Sequence, residues 1–583
     1  MKRSIFFLVS ILLLGLAYFY LIQDFSKTKS NLIYNGIILT MESAHPSVEA
    51  VYVEDGIIQA VGEYEELKEL ADGDTEVLDL DGKTLMPGFI DSHTHAVASS
   101  FLHSMVDLSG FRHSTPEEVW TYLEQEVKNF EAGEWIVCKG LDPVLVKGLI
   151  PPHISYLDSI SPDNPLVIIS QSLHSQWANS LAFQAVNIDE NSPDPSNSSY
   201  YEKDESGQLT GFIAEQEAFY PFRLNLVEAG REQLVKSIVE VMDQYAANGN
   251  TSIATLGMST SDPNAFRLYQ HLSSEKPSLL NQLLVKFDIL PARKAGVRHF
   301  AYIRKDAINL LPDSPDNGDD FFKVLGVKFW YDGSPYTGSM YLEEPYMISP
   351  LTKDGFLIPE GWRGEALIEQ DSLEEWVNKY QSDGWQIAIH AQGDLAIREI
   401  LDVLEKVPEG KDKRTRLEHC ILLAESSISK MKALGVSPNF HVNHLYYYGQ
   451  ALRNQIIGAV RAEKLLPVKG AARAGLAYSL HADKPMFESD PISLMSTAIQ
   501  RETRQGDTLG LNQSLSIEEA LRAMTVNAAW QIQMEDKIGS IKVGKYGDFV
   551  VLDRNPLQTA PENFRDISIL QTIVNGNTVY KYE

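Results

Sequence analysis

The sequence predicts an α/β protein whose main unit is a (β/α)8 TIM barrel, joined to a small β-sandwich built from both ends of the chain. Three observations lead to this prediction. Short apolar runs alternate with helical patterns through the middle of the chain, over residues 84–482. Both ends instead contain short strands with Asn-Gly and Asp-Gly turns, which are typical of hairpins. The third observation concerns the first residues of the chain, where an apolar run preceded by basic residues adds a predicted N-terminal transmembrane helix to this fold.

The composition is that of a folded protein with an acidic surface. The chain has 583 residues, of which 44% are hydrophobic and 22% charged, so a disordered or collagenous chain is excluded. Fifty Lys and Arg against 79 Asp and Glu give a net charge of −29. Because phosphate binding relies on clustered basic side chains, no nucleic-acid partner is expected. Two cysteines, Cys138 and Cys420, make no disulfide framework.

Residues 1–23 are predicted to form a signal anchor, an N-terminal transmembrane helix. Lys2 and Arg3 precede an apolar run over residues 5–22, which approaches the roughly 20 residues that span a bilayer. The run ends in bulky aromatic residues, whereas a cleavage site needs small ones, so an uncleaved anchor is favoured over a cleaved signal. Basic residues stay inside, so the catalytic domain would face the periplasm or exterior from a bacterial inner membrane, or be secreted after cleavage.

The rest of the chain is predicted to contain one split domain and one continuous one. The first part of the β-sandwich covers 31–88, the barrel 89–534 and the second part of the sandwich 535–583. Residues 134–220 do not follow the barrel rhythm and are partly loop-rich, so they are predicted to be an insertion over the barrel mouth. The predicted barrel strands are 84–95, 252–256, 279–289, 322–330, 385–390, 415–422, 436–441 and 477–482.

Metal-binding and ionisable side chains stand at the ends of these predicted strands. His93 and His95 lie two residues apart, so on a strand both imidazoles face one side and can reach one metal ion. Each such residue alone could be a core histidine or a lysine extending to the rim. The C-terminal strand ends of a barrel ring its active site, however, and a buried lysine is costly unless it is paired or modified. Four more residues belong to this ring: Lys328, His390, His419 and Asp483.

Six phrases of the sequence are similar to those of a known superfamily. PGFIDSHTH at 87–95 resembles the signature of the amidohydrolase superfamily. Later phrases resemble its family-3 branch, which includes N-substituted formamide deformylases and relatives of aminoacylases. These phrases are VKFWYDGS at 327–334, IHAQGDLA at 389–396, RLEH at 416–419, HADKP at 481–485 and GSIKVGKYGDFVVLD at 539–553.

The resemblance implies two divalent metal ions, usually zinc. His93, His95 and Asp483 would hold one ion and His390 and His419 the other. Lys328 would bridge both ions as a carbamate formed with CO₂. Asp483 would also act as general base toward a water molecule whose pKa the metals lower toward about 7. The implied activity is hydrolysis of non-peptide carbon–nitrogen bonds in small molecules, in particular amide, N-acyl or N-formyl groups.

Four further residues are candidate contacts to a small-molecule substrate. His444 in HVNHLYYYG at 441–449 is a candidate for polarising the substrate carbonyl, with orientation of a neighbouring group as the alternative. His174 in LHSQWANS at 173–180 resembles a phrase of the inserted segment that overhangs the site. His481 occupies a position where many relatives have glycine, and it either contacts substrate or packs. Trp330 follows Lys328 on the predicted strand, and packing is the alternative there too.

Other activities stay open at this point. A deaminase of the same superfamily is the nearest alternative, although such enzymes usually bind one metal and lack the lysine that Lys328 provides. A non-catalytic barrel that binds a small molecule is the alternative outside enzymes. A lyase or isomerase using the same metals is not excluded, and a homo-oligomer is compatible with the sequence.

Overall fold

Three β-sheets form the framework of the described part of the chain. The structure, a computed structural model, describes residues 29–223, 225, 234–259, 263–273, 296–407 and 413–582. The strands are β1 Ser30–Leu39, β2 Ser47–Glu54, β3 Ile57–Gly62, β4 Glu76–Asp79, β5 Thr84–Pro87, β6 Phe89–Thr94, β7 Val106–Asp107, β8 Ile136–Leu141, β9 Leu166–Ser170, β10 Ser175–Ala178, β11 Tyr201–Lys203, β12 Leu209–Ala214, β13 Asn250–Met258, β14 Arg298–Arg304, β15 Phe322–Trp330, β16 Gln386–Ala391, β17 Arg416–His419, β18 Ser437–Phe440, β19 Ser479–Leu480, β20 Phe549–Leu552, β21 Ile569–Val574 and β22 Asn577–Lys581.

Helices connect these strands and cover the barrel. They are α1 Tyr64–Leu67, α2 Ala96–His103, α3 Pro116–Glu126, α4 Ile154–Ile160, α5 Ser180–Ala185, α6 Glu215–Phe219, α7 Leu234–Ala247, α8 Pro263–Ser273, α9 Gln370–Ser382, α10 Asp394–Lys406, α11 Glu425–Leu434, α12 Asn443–Ala451, α13 Ala459–Ala462, α14 Val468–Arg473, α15 Pro491–Gln500, α16 Ile517–Ala523 and α17 Val526–Gln531. Local chemistry sets several ends: Ser516 and Glu519 form a capping box at α16, and Gly435 ends α11 with a left-handed φ of 68°.

Eight parallel strands form a nearly closed barrel, as the sequence predicts. Their order is β6, β13, β14, β15, β16, β17, β18 and β19. The first and last strands meet where the hydroxyls of Ser92 and Ser479 lie 2.8 Å apart, and the His95 amide donates to the Lys484 carbonyl at 2.8 Å. Strands such as β16 and β17 are buried along their whole length, which explains their continuous apolar runs.

The third barrel strand differs from the prediction. The structure places β14, Arg298–Arg304, between β13 and β15, whereas the sequence predicted residues 279–289. Those residues lie outside the described part of the chain. The prediction was wrong because β14 begins with Arg298 and His299, two polar residues that break the apolar pattern although both are fully buried. The other seven predicted strands overlap observed strands.

Both ends of the chain contribute to one further sheet. Its order is β22, β21, β20, β5, β1, β2 and β3, with β4 also paired to β1. Strands from both ends of the chain form this sheet, as the sequence predicts. Hydrogen bonds join all eight strands into a single sheet, however, where the sequence predicted a sandwich of two. Ile33, Val51, Leu85, Phe549 and Ile573 belong to its apolar core.

A third sheet lies within the predicted inserted segment and extends beyond it. Its order is β11, β12, β10, β9, β8 and β7, so it begins at Val106, upstream of the predicted start at about residue 134. The earlier start left no recognisable pattern because β7 is only two residues long. The sheet contacts the barrel where the Tyr448 hydroxyl donates to Asp142 at 2.6 Å and the Gln171 amide donates to the Met486 carbonyl.

The predicted transmembrane helix at 1–23 lies outside the described residues. Among the helices in the described ranges, none combines the length and the apolarity that a membrane span requires. The signal anchor and the location outside the inner membrane therefore stay predictions.

Candidate metal centre

The barrel registers place Lys328, His390 and His419 within two residues of a common level. Trp330 pairs with His390, which in turn pairs with Glu418, and His419 pairs with Phe440 on the next strand. Parallel strands end on the same side of a barrel, so these side chains meet at its C-terminal mouth. His93, Lys328, His390 and His419 are each at most 2% exposed.

Asp483 lies at the centre of the histidine cluster. Its Oδ1 atom is 3.1 Å from Nε2 of His93 and 3.0 Å from Nε2 of His95, and its Oδ2 atom is 3.9 Å from Nδ1 of His419. The ring of His390 lies 4.3 Å from that of His419. The structure thus brings together the five predicted histidine and aspartate ligands.

The charge states of these groups suit a metal site. Burial alone would raise the pKa of Asp483, but the neighbouring His93, His95 and His419 lower it well below its usual range, so it is a carboxylate. Burial lowers the pKa of His390 and of His419 well below the usual range. Their imidazoles are therefore neutral, which is the form that ligates metal.

The backbone at two ligands adopts an uncommon conformation. His419 has a φ of 73° and Asp483 a φ of 56°, both in the left-handed region. Such positions cost on the order of 1–3 kcal/mol each and persist only where the surrounding structure fixes them, as at functional sites.

Glu418 and Arg416 determine which nitrogen of His93 faces the cluster. His93 Nδ1 donates to Glu418 Oε2 at 2.7 Å, and Arg416 Nε lies 2.9 Å from Glu418 Oε1. Burial would raise the pKa of Glu418, but Arg416 and then His93 outweigh it and lower it to about 2. Because this carboxylate accepts the hydrogen bond from Nδ1–H, the proton of neutral His93 is on Nδ1 and Nε2 presents a lone pair.

That lone pair gives the test of whether a metal fits. His93 Nε2 and Asp483 Oδ1 are both acceptors, 3.1 Å apart, and neither has a hydrogen-bond partner among the described residues. Two buried acceptors in contact repel unless a cation lies between them. Imidazole nitrogen and carboxylate oxygen are also the ligands that zinc accepts. The residues present therefore fit a divalent metal ion.

Lys328 is buried in the same mouth. Its Nζ atom has no hydrogen-bond partner in the described ranges and lies 4.9 Å from the centre of the Trp330 ring. Burial lowers the pKa of Lys328 from 10.5 to about 8. Trp330 has room because Gly257, with a φ of +78°, has no Cβ: that atom would lie 2.2 Å from the indole. Here Trp330 packs against Lys328.

His444 lies beside this cluster on α12. Its Nδ1 atom is 2.7 Å from the Tyr336 hydroxyl, and its ring is 4.2 Å from that of His441. The Tyr336 hydroxyl has no other acceptor in the described part of the chain, so it donates to Nδ1. The proton of neutral His444 is then on Nε2, which is buried without a partner among the described residues.

His174 reaches the mouth from the inserted sheet. Its ring lies 5.7 Å from that of His390, and its Nδ1 atom is 2.5 Å from Glu215 Oε2. Glu215 is 1% exposed and also accepts hydrogen bonds from Thr337 and Ser339. The contact orients the His174 imidazole toward the mouth.

Several residues of the site were not predicted. Arg416 and Glu418 stand two apart on β17 and so share a face, a charge pairing that strand periodicity could have revealed. His441 follows β18 and packs 4.7 Å from the ring of His481. Asp332 lies 3.8 Å from His390 Nε2 and accepts backbone hydrogen bonds from residues 341, 392 and 393. Their partners are distant in sequence, so no local signal identified Asp332 or Glu215.

A nearly closed parallel barrel with a histidine and aspartate cluster at its mouth defines the class of metal-dependent hydrolases to which the comparisons also point. The model of the amidohydrolase family matches residues 76–580, so the chain belongs to this family. The predicted superfamily is confirmed. The chain is a hydrolase acting on carbon–nitrogen bonds of small molecules.

Three similar proteins illustrate the range of this family. The N-substituted formamide deformylase of Arthrobacter pascens is 27% identical over 567 residues, covering 96% of this chain and 99% of that protein. Protein LONG AFTER FAR-RED 3 of Arabidopsis thaliana is 27% identical, covering 94% and 91%. The crystal structure of an uncharacterized metal-dependent hydrolase from Pyrococcus horikoshii OT3 matches with a TM-score of 0.68 at 24% identity, covering 91% of this chain and 99% of that one, which supports the fold.

Proposed function

We propose that the chain hydrolyses the amide bond of small N-formyl or N-acyl amines. The proposed cofactors are two divalent metal ions, with Zn²⁺ as the metal of choice. The observation that carries the metal dependence is the contact of two buried acceptors, His93 Nε2 and Asp483 Oδ1, at 3.1 Å. The substrate class is supported by the similarity to the Arthrobacter pascens protein named N-substituted formamide deformylase, which extends over nearly the whole chain.

The ions would be held as the family resemblance implies. His93, His95 and Asp483 would hold one, and His390 and His419 the other, with Lys328 between them as a carbamate. The amine of Lys328 would attack CO₂, form a nitrogen–carbon bond and release a proton. Burial supports this step, because a lysine whose pKa is about 8 presents the reactive neutral amine more often than one at 10.5. Bound divalent ions would polarise the scissile carbonyl and acidify a water molecule.

Asp483 is the proposed general base. Its carboxylate accepts a proton as the water oxygen bonds to the carbonyl carbon. The carbon–nitrogen bond then breaks, and the leaving nitrogen takes the proton from Asp483. Asp483 is a carboxylate at neutral pH, so it has a lone pair that can accept this proton.

His444 is the proposed donor to the substrate carbonyl oxygen. Tyr336 fixes its tautomer, so Nε2–H is available for an oxygen that gains negative charge. A donor whose direction is already fixed needs no reorganisation during the reaction. His174, held by Glu215, is proposed to contact the substrate from the inserted sheet.

A product assay with the full chain tests this function. The metal-stripped protein is reloaded with Zn²⁺ and bicarbonate and incubated with N-formyl, N-acyl and lactam compounds. Equimolar amine and carboxylic acid are expected, and release of ammonia would identify deamination instead. Asp483→Asn should reduce kcat by at least about 1000-fold while melting cooperatively. Asp402→Asn, at a half-exposed aspartate on α10, is the matched control and should stay fully active.

We also propose that residues 1–23 anchor the enzyme in a bacterial inner membrane with the barrel outside. The support is the apolar run over 5–22 with Lys2 and Arg3 before it. Protease added to intact spheroplasts should then digest the barrel. Digestion only after lysis would contradict the proposal.

A further inference from the structure

Glu215 is a buried carboxylate at the boundary between the inserted sheet and the barrel. It directly follows β12, begins α6 and is 1% exposed. Its φ of 65° lies in the left-handed region, an uncommon conformation that persists only where the surrounding structure fixes it, as at functional sites. The groups that fix Glu215 therefore show what its position serves.

Hydrogen-bond donors from the barrel and from the inserted sheet meet at this carboxylate. On the barrel side, the hydroxyls of Thr337 and Ser339 donate to Glu215 Oε1, the first at 2.7 Å. Their loop comes this close because Gly333 has no side chain: a Cβ there would lie 2.5 Å from the same oxygen. On the other side, His174 Nδ1 lies 2.5 Å from Glu215 Oε2. Glu215 thus joins His174 of the inserted sheet to a loop of the barrel.

The contact with Glu215 determines which atom of His174 faces the mouth. Because a carboxylate only accepts hydrogen bonds, His174 Nδ1 carries the proton that it donates to Glu215. The neutral imidazole then has its lone pair on Nε2, at the ring edge away from Glu215. The side chain of His174 is 13% exposed and its ring lies 5.7 Å from that of His390, so this edge faces the mouth.

His174 and His444 present opposite hydrogen-bonding groups to the mouth. Tyr336 donates to Nδ1 of His444, so His444 offers an Nε2–H donor. Glu215 accepts from Nδ1 of His174, so neutral His174 offers an Nε2 acceptor. An amide that keeps one hydrogen on its nitrogen also has one group of each kind, a carbonyl oxygen that accepts and an N–H group that donates. The two fixed tautomers match these two groups.

We propose that His174 accepts a hydrogen bond from the N–H group of the scissile amide, and that Glu215 is the positioning residue for this contact. The inference rests on the proposed hydrolysis and narrows its substrates to amides that carry hydrogen on the scissile nitrogen. An amide with two carbon substituents on nitrogen leaves the Nε2 lone pair without a donor. A site built to bind an N–H group discriminates strongly against an analogue that lacks it.

Hydrolysis of two matched amides by the zinc-loaded full chain is the test. Burial lowers the pKa of His174, but the contact with Glu215 outweighs burial and raises it above its usual value, so the assay is run at pH 9 to have a neutral imidazole. The kcat/KM for N-butylformamide should exceed that for N-butyl-N-methylformamide at least about 100-fold.

His174→Leu separates the hydrogen bond from the bulk of the extra methyl group. Leucine is about as large as histidine and has no acceptor. The variant should lower kcat/KM for N-butylformamide at least about 30-fold and keep that for the N-methyl amide within about threefold. A preference that His174→Leu leaves intact is caused by bulk alone and would overturn the proposal.

Glu215→Gln tests the positioning role. The preference for N-butylformamide should fall at least about tenfold, because an amide no longer obliges His174 Nδ1 to carry the proton. A merely structural role would lower both rates by the same factor and leave the preference unchanged, which would contradict the assignment of Glu215. His103→Leu is the matched control, because His103 pairs with Glu240 on the surface at 3.1 Å, and it should leave both rates unchanged.

The unsubstituted chain decides the outcome if a variant fails to fold. Equal kcat/KM for the two amides would refute the contact between His174 and the N–H group and leave the proposed hydrolysis intact. Hydrolysis of neither amide, nor of any N-acyl compound, would refute the proposed hydrolysis itself, and the inference with it.

Discussion

Two buried basic side chains on neighbouring barrel strands have opposite surroundings. Arg298, at the start of β14, is 0% exposed and holds Asp548 through two hydrogen bonds of 2.6 and 3.0 Å. Its guanidinium also lies 4.1 Å from the Phe321 ring centre and 3.9 Å from that of Tyr546. Lys328, near the end of β15, is 1% exposed and has no such partner in the described part of the chain.

The difference follows the two ends of the barrel. Arg298 lies at the N-terminal end, where it is paired with Asp548, the residue before β20 of the terminal sheet. Lys328 lies toward the C-terminal mouth, where buried groups keep free ligand atoms. A barrel uses its N-terminal face for stability and its C-terminal face for chemistry. The same kind of residue therefore stabilises the fold at one end and serves the site at the other.

Replacing Lys328 should separate activity from stability most strongly. Lys328→Met is expected to lower kcat/KM for an N-formyl amine at least about 1000-fold, a loss of about 4 kcal/mol. Its free energy of unfolding should stay equal or rise, because an unpaired buried amine is replaced by an apolar chain. Urea unfolding and hydrolysis assays measure the two quantities. If Lys328→Met kept its activity and lost stability, Lys328 would stabilise the fold as Arg298 does, and the prediction would be wrong.

Arg298→Leu should have the opposite effect. Asp548 would be left buried without its cation, and breaking a buried ion pair costs about 3–5 kcal/mol. The folded fraction should keep its kcat/KM within about threefold, since the pair lies at the far end of the barrel. Urea midpoints give the loss of stability, and Arg298→Leu combined with Asp548→Leu should recover part of it. A double variant no more stable than the single one would argue against this account.

The sequence predicted the barrel and its mouth better than the contacts around it. His93 and His95 share a strand face, so their spacing alone brings them together. Lys328, His390, His419 and Asp483 followed because parallel strands end at one rim.

The rest depended on contacts between residues far apart in sequence. Tyr336 and His444 are 108 residues apart, so nothing local indicated which tautomer His444 adopts. The third barrel strand was misplaced because Arg298 is satisfied by Asp548, 250 residues later. Sequence periodicity cannot show that a polar residue will be buried when its partner comes from the other end of the chain.

Asp142 extends the comparison to a buried carboxyl that accepts hydrogen bonds but has no cation close to it among the described residues. Burial raises its pKa from 3.8 to about 6, while hydrogen bonds from Tyr448, Leu145 and Val144 oppose the rise. The raised pKa means that the protonated carboxyl stabilises the fold below pH 4, and this contribution is lost as the pH rises through 6.

Asp142→Asn should remove this pH-dependent loss of folding stability, because an amide does not ionise. The stability difference from the unsubstituted protein should be small at pH 4 and reach at most about 3 kcal/mol in favour of the variant at pH 8. Denaturant unfolding across this range measures it. Asp566→Asn, near the C-terminal end of the chain, is the control, and its difference should not follow this profile. A difference for Asp142→Asn that is constant with pH would contradict the prediction.

Replacing Glu418 should change metal affinity at the barrel mouth by a smaller factor, because Glu418 contacts the proposed ligand His93 and would not itself contact the metal ion. In Glu418→Gln an amide oxygen can still accept from His93 Nδ1, so the ring keeps its tautomer while losing a charged partner. A neutral amide polarises the imidazole less than a carboxylate does, so His93 Nε2 becomes a weaker ligand. Losing such an orienting partner typically weakens metal binding 10- to 100-fold, so a Zn²⁺ Kd measured against a competing chelator should rise by that factor. Glu405→Gln, at an exposed partner of Lys430, should leave the Kd unchanged. If Glu418→Gln and Glu405→Gln bound Zn²⁺ with the same Kd, the prediction would be wrong. The pair of Glu418 and Arg416 would then stabilise the fold alone, as the pair of Arg298 and Asp548 does.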